Sequence, residues 1–193
     1  MPAGAGTEAS LQPSQKVLPM LEGWHEFYIL LGTAAAALVA LLFVAASIGA
    51  SVLTAESAGA TRTFISPVVF HYTNILFLSL IALIPGQSEL TFGLTIAAAA
   101  CGSLIYSVII FVRVVRQPIA DLADRLGYGS APLISYTAGL VAAWLILTGH
   151  HAGLDVLAAA ALLLLVVNIR NAWDLMLSLA RHSAERNRGA GRS

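Results

Sequence analysis

Apolar residues in this chain come in long blocks, and the acidic and basic side chains fall between the blocks instead of alternating with them. Tyr28 to Ala55 holds no Asp, Glu, Lys or Arg, and neither do Thr63 to Ser88, Leu90 to Val112 or Leu126 to Gly149. A helix of about 20 mainly apolar residues crosses the hydrocarbon of a bilayer, so each of these blocks is long enough to span. Val156 to Ile169 is shorter. At ~1.5 Å per residue it covers about 21 Å, and it crosses only if Arg170 is drawn inside the boundary. The pattern predicts an all-α integral membrane bundle of about five transmembrane helices, over roughly residues 26–52, 65–85, 90–114, 132–149 and 153–176 of a domain covering 23–180.

The breaks carry matching signals. Pro85-Gly86 closes the second span, and Pro132 opens the fourth where its missing N–H costs nothing. In the loop between spans three and four, Ile119, Leu122 and Leu126 share a face that avoids Asp121, Asp124 and Arg125, with Gly127 as C-terminal cap. This reads as a short amphipathic helix lying at the membrane interface. Residues 1–22, rich in Ala, Gly, Ser and Pro at their start, read as a disordered extracytoplasmic tail. Residues 181–193 read as a basic cytoplasmic tail. The first span is expected to be permanent, because Glu22 and Glu26 stand where a cleaved signal has basic residues, and its apolar run is too long for a signal core.

Composition agrees with a lipid-facing surface: 58% of residues are hydrophobic and 10% charged, with mean hydropathy +0.83, against about 25% charged in soluble domains. Ten basic residues balance ten acidic ones, which gives no footprint for nucleic acid. Lys16 is the only lysine and Ala is abundant, a bias expected of a GC-rich bacterial genome. The single cysteine, Cys101, cannot form an intrachain disulfide and is expected to be a buried, inert thiol.

Charge also gives direction. With five spans, Arg62, Arg113, Arg116, Arg125, Arg181, Arg186, Arg188 and Arg192 share one side, and Lys16 alone lies on the other. The positive-inside rule places the N-terminus outside and the C-terminus in the cytoplasm of a bacterial inner (plasma) membrane. Trp24, Phe27 and Tyr28 would then anchor the outer interface and Trp173 the inner one.

Small residues recur at four-residue spacing, as Gly32, Ala36 and Ala40 on span one and as Gly93, Ala97 and Cys101 or Ala98 and Gly102 on span three. Such faces let helices approach closely in lipid. Packing within one chain is the weightier use, and a homo-oligomer interface through spans one and three is the other.

Candidate chemistry gathers in the cytoplasmic half. His71 and Asn74 share a face of span two, and ionisable groups at such depth mark functional sites or locked helix contacts. Tyr106, Asn168, Arg170, Asn171, Asp174 and Glu56 complete a set that could line a cavity open to the cytoplasm. Arg170 either snorkels and pairs with Asp174 four residues on, or with Glu56, or recognises an anion beside Asn168 and Asn171. His150-His151, followed by Asp155, reads as a polar loop, and no spacing calls for a metal, a cofactor or an enzyme's nucleophile and base. Two functions follow as expectations: oligomeric permeation of an ion, proton or small solute, or a membrane-embedded assembly or regulatory subunit without transport. Permeation requires His71, Asn74 and Arg170 to face one water-accessible cavity.

Overall fold

The computed structural model describes residues 21–49, 58–116 and 129–190. They form helices α1 (His25–Gly49), α2 (Ala58–Ala82), α3 (Glu89–Val115), α4 (Ala131–Leu147) and α5 (Ala152–Ala190), with no strand among the described residues. The segments His25–Ser47, Glu89–Arg113 and Ala152–Asp174 are long and apolar enough to cross a membrane, while the apolar helical stretches Pro67–Ala82 and Ala131–Leu147 are shorter. The outside of the bundle is apolar too: Leu30, Leu41, Phe43, Trp144 and Val166 are all more than half exposed. Water does not suit such a surface, and the helices suit a membrane-associated protein.

Chain order is not packing order. α1 packs on α2, α2 on α5, α5 on α4 and α4 on α3, whereas α2 and α3, neighbours in sequence, touch only lightly. The last helix is therefore the central wedge. It is the most buried of the three long apolar segments, and Leu154, Leu157, Ala161 and Leu164 lie along its core face.

Small residues set the close approaches. A Cβ on Gly32 would stand 2.9 Å from Cβ of Ser79, so α1 meets α2 at glycine. A Cβ on Gly153 would stand 2.9 Å from the Ile146 backbone nitrogen and 3.0 Å from the Ala142 carbonyl, which ties the start of α5 to the end of α4. The turn between them is a Schellman cap: Gly149, at φ 76°, donates to the Ile146 carbonyl and His150 to that of Leu145. At the same end of the bundle Ser88 caps α3, accepting from the Thr91 backbone N–H at 3.1 Å.

Some expectations change. α2 begins at Ala58, ahead of the span expected from about residue 65, and Pro67 lies inside the helix. Pro67 removes one backbone donor, yet it is fully buried in the bundle. α5 continues as one helix beyond the fifth span to Ala190. Cys101 is exposed on the outward face of α3, because α4 takes the opposite face through Gly93 and Ala100. The small-residue stripes divide accordingly: Gly32 and Gly93 face neighbours, while Ala36, Ala40, Ala98 and Gly102 face out. The expected interfacial helix at 118–127, Glu56 and nearly all of the N-terminal tail lie outside the described residues.

Candidate functional site

The site is built on two side chains of α2 that lie three residues apart and hence on one helical face. Asn74 donates through Nδ2 to the Phe70 carbonyl of its own helix at 2.9 Å, which turns Oδ1 towards α3. There Ser103 Oγ donates to it at 2.9 Å. His71 is only 2% exposed, and its Nδ1 lies 2.7 Å from the Tyr136 hydroxyl of α4. Tyr106 completes the cluster through its ring, which packs on Phe70 with centroids 4.1 Å apart and lies 6.4 Å from the His71 ring. Three helices are thus joined by polar contacts at one level.

Above this level lies a cavity of about 60 Å³ between α2, α3, α4 and α5, room for a few waters at most. Asn74, Ser103, Ser135 and Tyr136 form its polar corner, and residues such as Ile75, Leu78, Ile96 and Leu157 form the rest. The Ser135 hydroxyl is buried with no partner among the described residues. The same holds for Ser107 Oγ, one turn beyond Ser103, and for Asn168 Oδ1.

The predicted set separates in space. His71, Asn74 and Tyr106 come together. Asn168 and Asn171 are buried on the inner face of α5, one and two turns past Leu164, with Asn168 donating back to the Leu164 carbonyl at 2.7 Å. Arg170 points elsewhere: its side chain is 61% exposed, reaches Asp174 through Nε at 3.8 Å, and lines a groove between α1 and α5. One cavity shared by His71, Asn74 and Arg170 is not what this packing builds.

Three further polar residues satisfy their hydroxyls on their own helices. Ser47, Thr73 and Thr137 are exposed and donate to carbonyls four residues back at 2.8 to 2.9 Å. Tyr136 and Ser103, the partners of His71 and Asn74, are polar residues of α4 and α3 that stand outside the predicted site set. A signal for Tyr136 existed, since it shares the inward face of α4 with the small residues Gly139 and Ala143, three and seven positions on.

No family model, curated protein or solved structure matches the chain.

The chemistry available is limited by the partners. His71 and Tyr136 exchange one hydrogen bond whose donor follows from the imidazole tautomer. Among the described residues no three His, Cys, Asp or Glu side chains converge to hold a metal. The arrangement is suited to locking α2 against α3 and α4.

Proposed function

We propose that the chain crosses the bacterial inner membrane five times, N-terminus outside and C-terminus in the cytoplasm, and serves as a membrane-embedded assembly or regulatory subunit. One observation carries this reading over permeation: the buried polar side chains of α2 close on Ser103 and Tyr136, while Arg170 lies on a separate outer groove. A conducting path needs polar groups in series, and here they terminate on one another above a small, mostly apolar cavity. Span count rests on α2 and α4 as well as the three long helices. At 17 residues α4 reaches about 26 Å, close to the ~30 Å hydrocarbon thickness.

The outward face of α3 offers a seat for a partner, including a second copy. Ala98, Cys101 and Gly102 are exposed there, and a Cβ on Gly102 would meet nothing within 4 Å, so another backbone can come close. The test pairs native mass in mild detergent with flux from proteoliposomes. Wild type is expected to run above the mass of one chain and to pass no more protons or small ions than empty vesicles. Gly102→Leu, which fills that face without touching the fold, is expected to release the single chain. Flux that His71→Ala abolishes in folded protein would replace this reading with permeation.

A further inference from the structure

The groove that holds Arg170 has the features of a lipid site. It encloses about 560 Å³ between α1 and α5, within the ~300–1,000 Å³ typical of small-molecule sites. Its walls are apolar, with Leu38, Leu41 and Leu42 on one side and Val166, Ile169 and Met176 on the other. Along α5 it runs from Val166 to Met176, a rise of ~15 Å. That is half the ~30 Å hydrocarbon core, so the groove belongs to a single leaflet.

Its polar groups are few and not arranged for packing. Arg170 touches Asp174 at 3.8 Å, longer than a hydrogen bond, and both side chains are more than half exposed. The contact draws the guanidinium towards the C-terminal end of α5, where Trp173 is 65% exposed beside it. Independently, Tyr72 lines the groove, is fully buried, and has a hydroxyl with no partner among the described residues. An apolar channel of this length, carrying a guanidinium fork drawn towards the C-terminal end of α5 and an unpartnered buried donor, matches one occupant. It needs an acyl chain, ester oxygens and an anionic phosphate, the last of which a planar guanidinium binds through two N–H groups.

We propose that the α1/α5 groove binds one anionic phospholipid of the inner leaflet, its chain against Leu38 and Ile169, its phosphate on Arg170 and an ester oxygen on Tyr72. This rests on the orientation proposed above, which sets α5's C-terminal end at the cytoplasmic face. It specifies what the peripheral charge of such a subunit recognises.

The test is native mass spectrometry of wild type, Arg170→Ala, Arg170→Lys and Tyr72→Phe, released from nanodiscs of equal phosphatidylglycerol and phosphatidylcholine with matched chains. Wild type is expected to retain one phosphatidylglycerol in preference to phosphatidylcholine. Arg170→Ala should lower that preference about tenfold, the weight of one charge-assisted hydrogen bond, and Arg170→Lys should restore part of it. Tyr72→Phe should weaken retention about threefold, as for an average hydrogen bond in a membrane protein. Millimolar inorganic phosphate should not displace the lipid, since the chain supplies most of the contact. Equal retention of both lipids, displacement by phosphate, or an unchanged preference in Arg170→Ala each overturns the site. Carbonate extraction and protease protection of the same samples separate the two levels of the argument. Protein that stays inserted with its C-terminus inside but lacks the preference refutes the lipid site alone, whereas protein extracted or inverted refutes the orientation beneath it.

Discussion

Two serines one turn apart on α3 show how much a partner matters to a buried hydroxyl. Ser103 donates to Asn74 Oδ1, and Ser107 is equally buried with no partner among the described residues. Removing a donor from a buried acceptor costs about 1–3 kcal/mol, while removing an unpaired hydroxyl returns its desolvation penalty. Ser103→Ala is therefore expected to destabilise the bundle by about 1 kcal/mol, and Ser107→Ala to leave it unchanged or stabilise it, in SDS-titrated unfolding from micelles. No loss for Ser103→Ala would show that Asn74 has another donor, and a loss for Ser107→Ala that its hydroxyl has a partner. His71 and Asn74 are legible in the sequence because their spacing and depth set them apart. Their partners are not, since helical period gives the direction of a side chain and not which helix stands opposite.

Between elements, glycine decides where backbones meet. A Cβ at position 153 runs into the backbone of α4 at Ile146 and Ala142, which cannot yield as a flexible side chain can. Gly153→Ala is expected to cost about 1–3 kcal/mol, as overpacking does, and to loosen the α4–α5 turn. Gly102→Ala meets open space and gains the helix propensity of alanine, about 0.5–1 kcal/mol. In detergent that holds the protein as single chains, thermal unfolding of the two variants should move in opposite directions, and a matched loss would mean α3 is packed on that face within the chain. Helix positions follow from uncharged blocks that can be read directly. The reach of α2 back to Ala58 and of α5 beyond Leu179 to Ala190 cannot, because the residues there leave no apolar period. The exposure of Cys101 is of the same kind: an apolar block marks what avoids water, and lipid and protein interior satisfy it equally.

For the molecule as a whole, orientation is the property on which the proposed function and lipid site depend. With Cys101→Ala as background, cysteines placed at Ser10 and Ser193 should react oppositely with a membrane-impermeant maleimide on intact cells: Ser10→Cys labels, and Ser193→Cys labels only after lysis. The reverse pattern would invert the topology that the arginine asymmetry indicates. The all-α fold and its three long apolar helices are legible from hydropathy alone, since each is a local property. The packing order is not, because it is set by shape between distant segments. That order has a consequence for how the protein is made. α1 and α2 form one packed pair and α3 and α4 another, and the two pairs meet directly only around the His71–Tyr136 and Asn74–Ser103 contacts, α5 supplying most of the packing between them. A ribosome delivers α5 last, so under the five-span topology proposed above the nascent chain would hold two loosely joined hairpins, with the faces of α2 and α4 that will meet α5 still uncovered. A stop codon or stall before Ala152 would leave that unfinished form as the product, a natural target for the proteases that clear orphaned membrane segments.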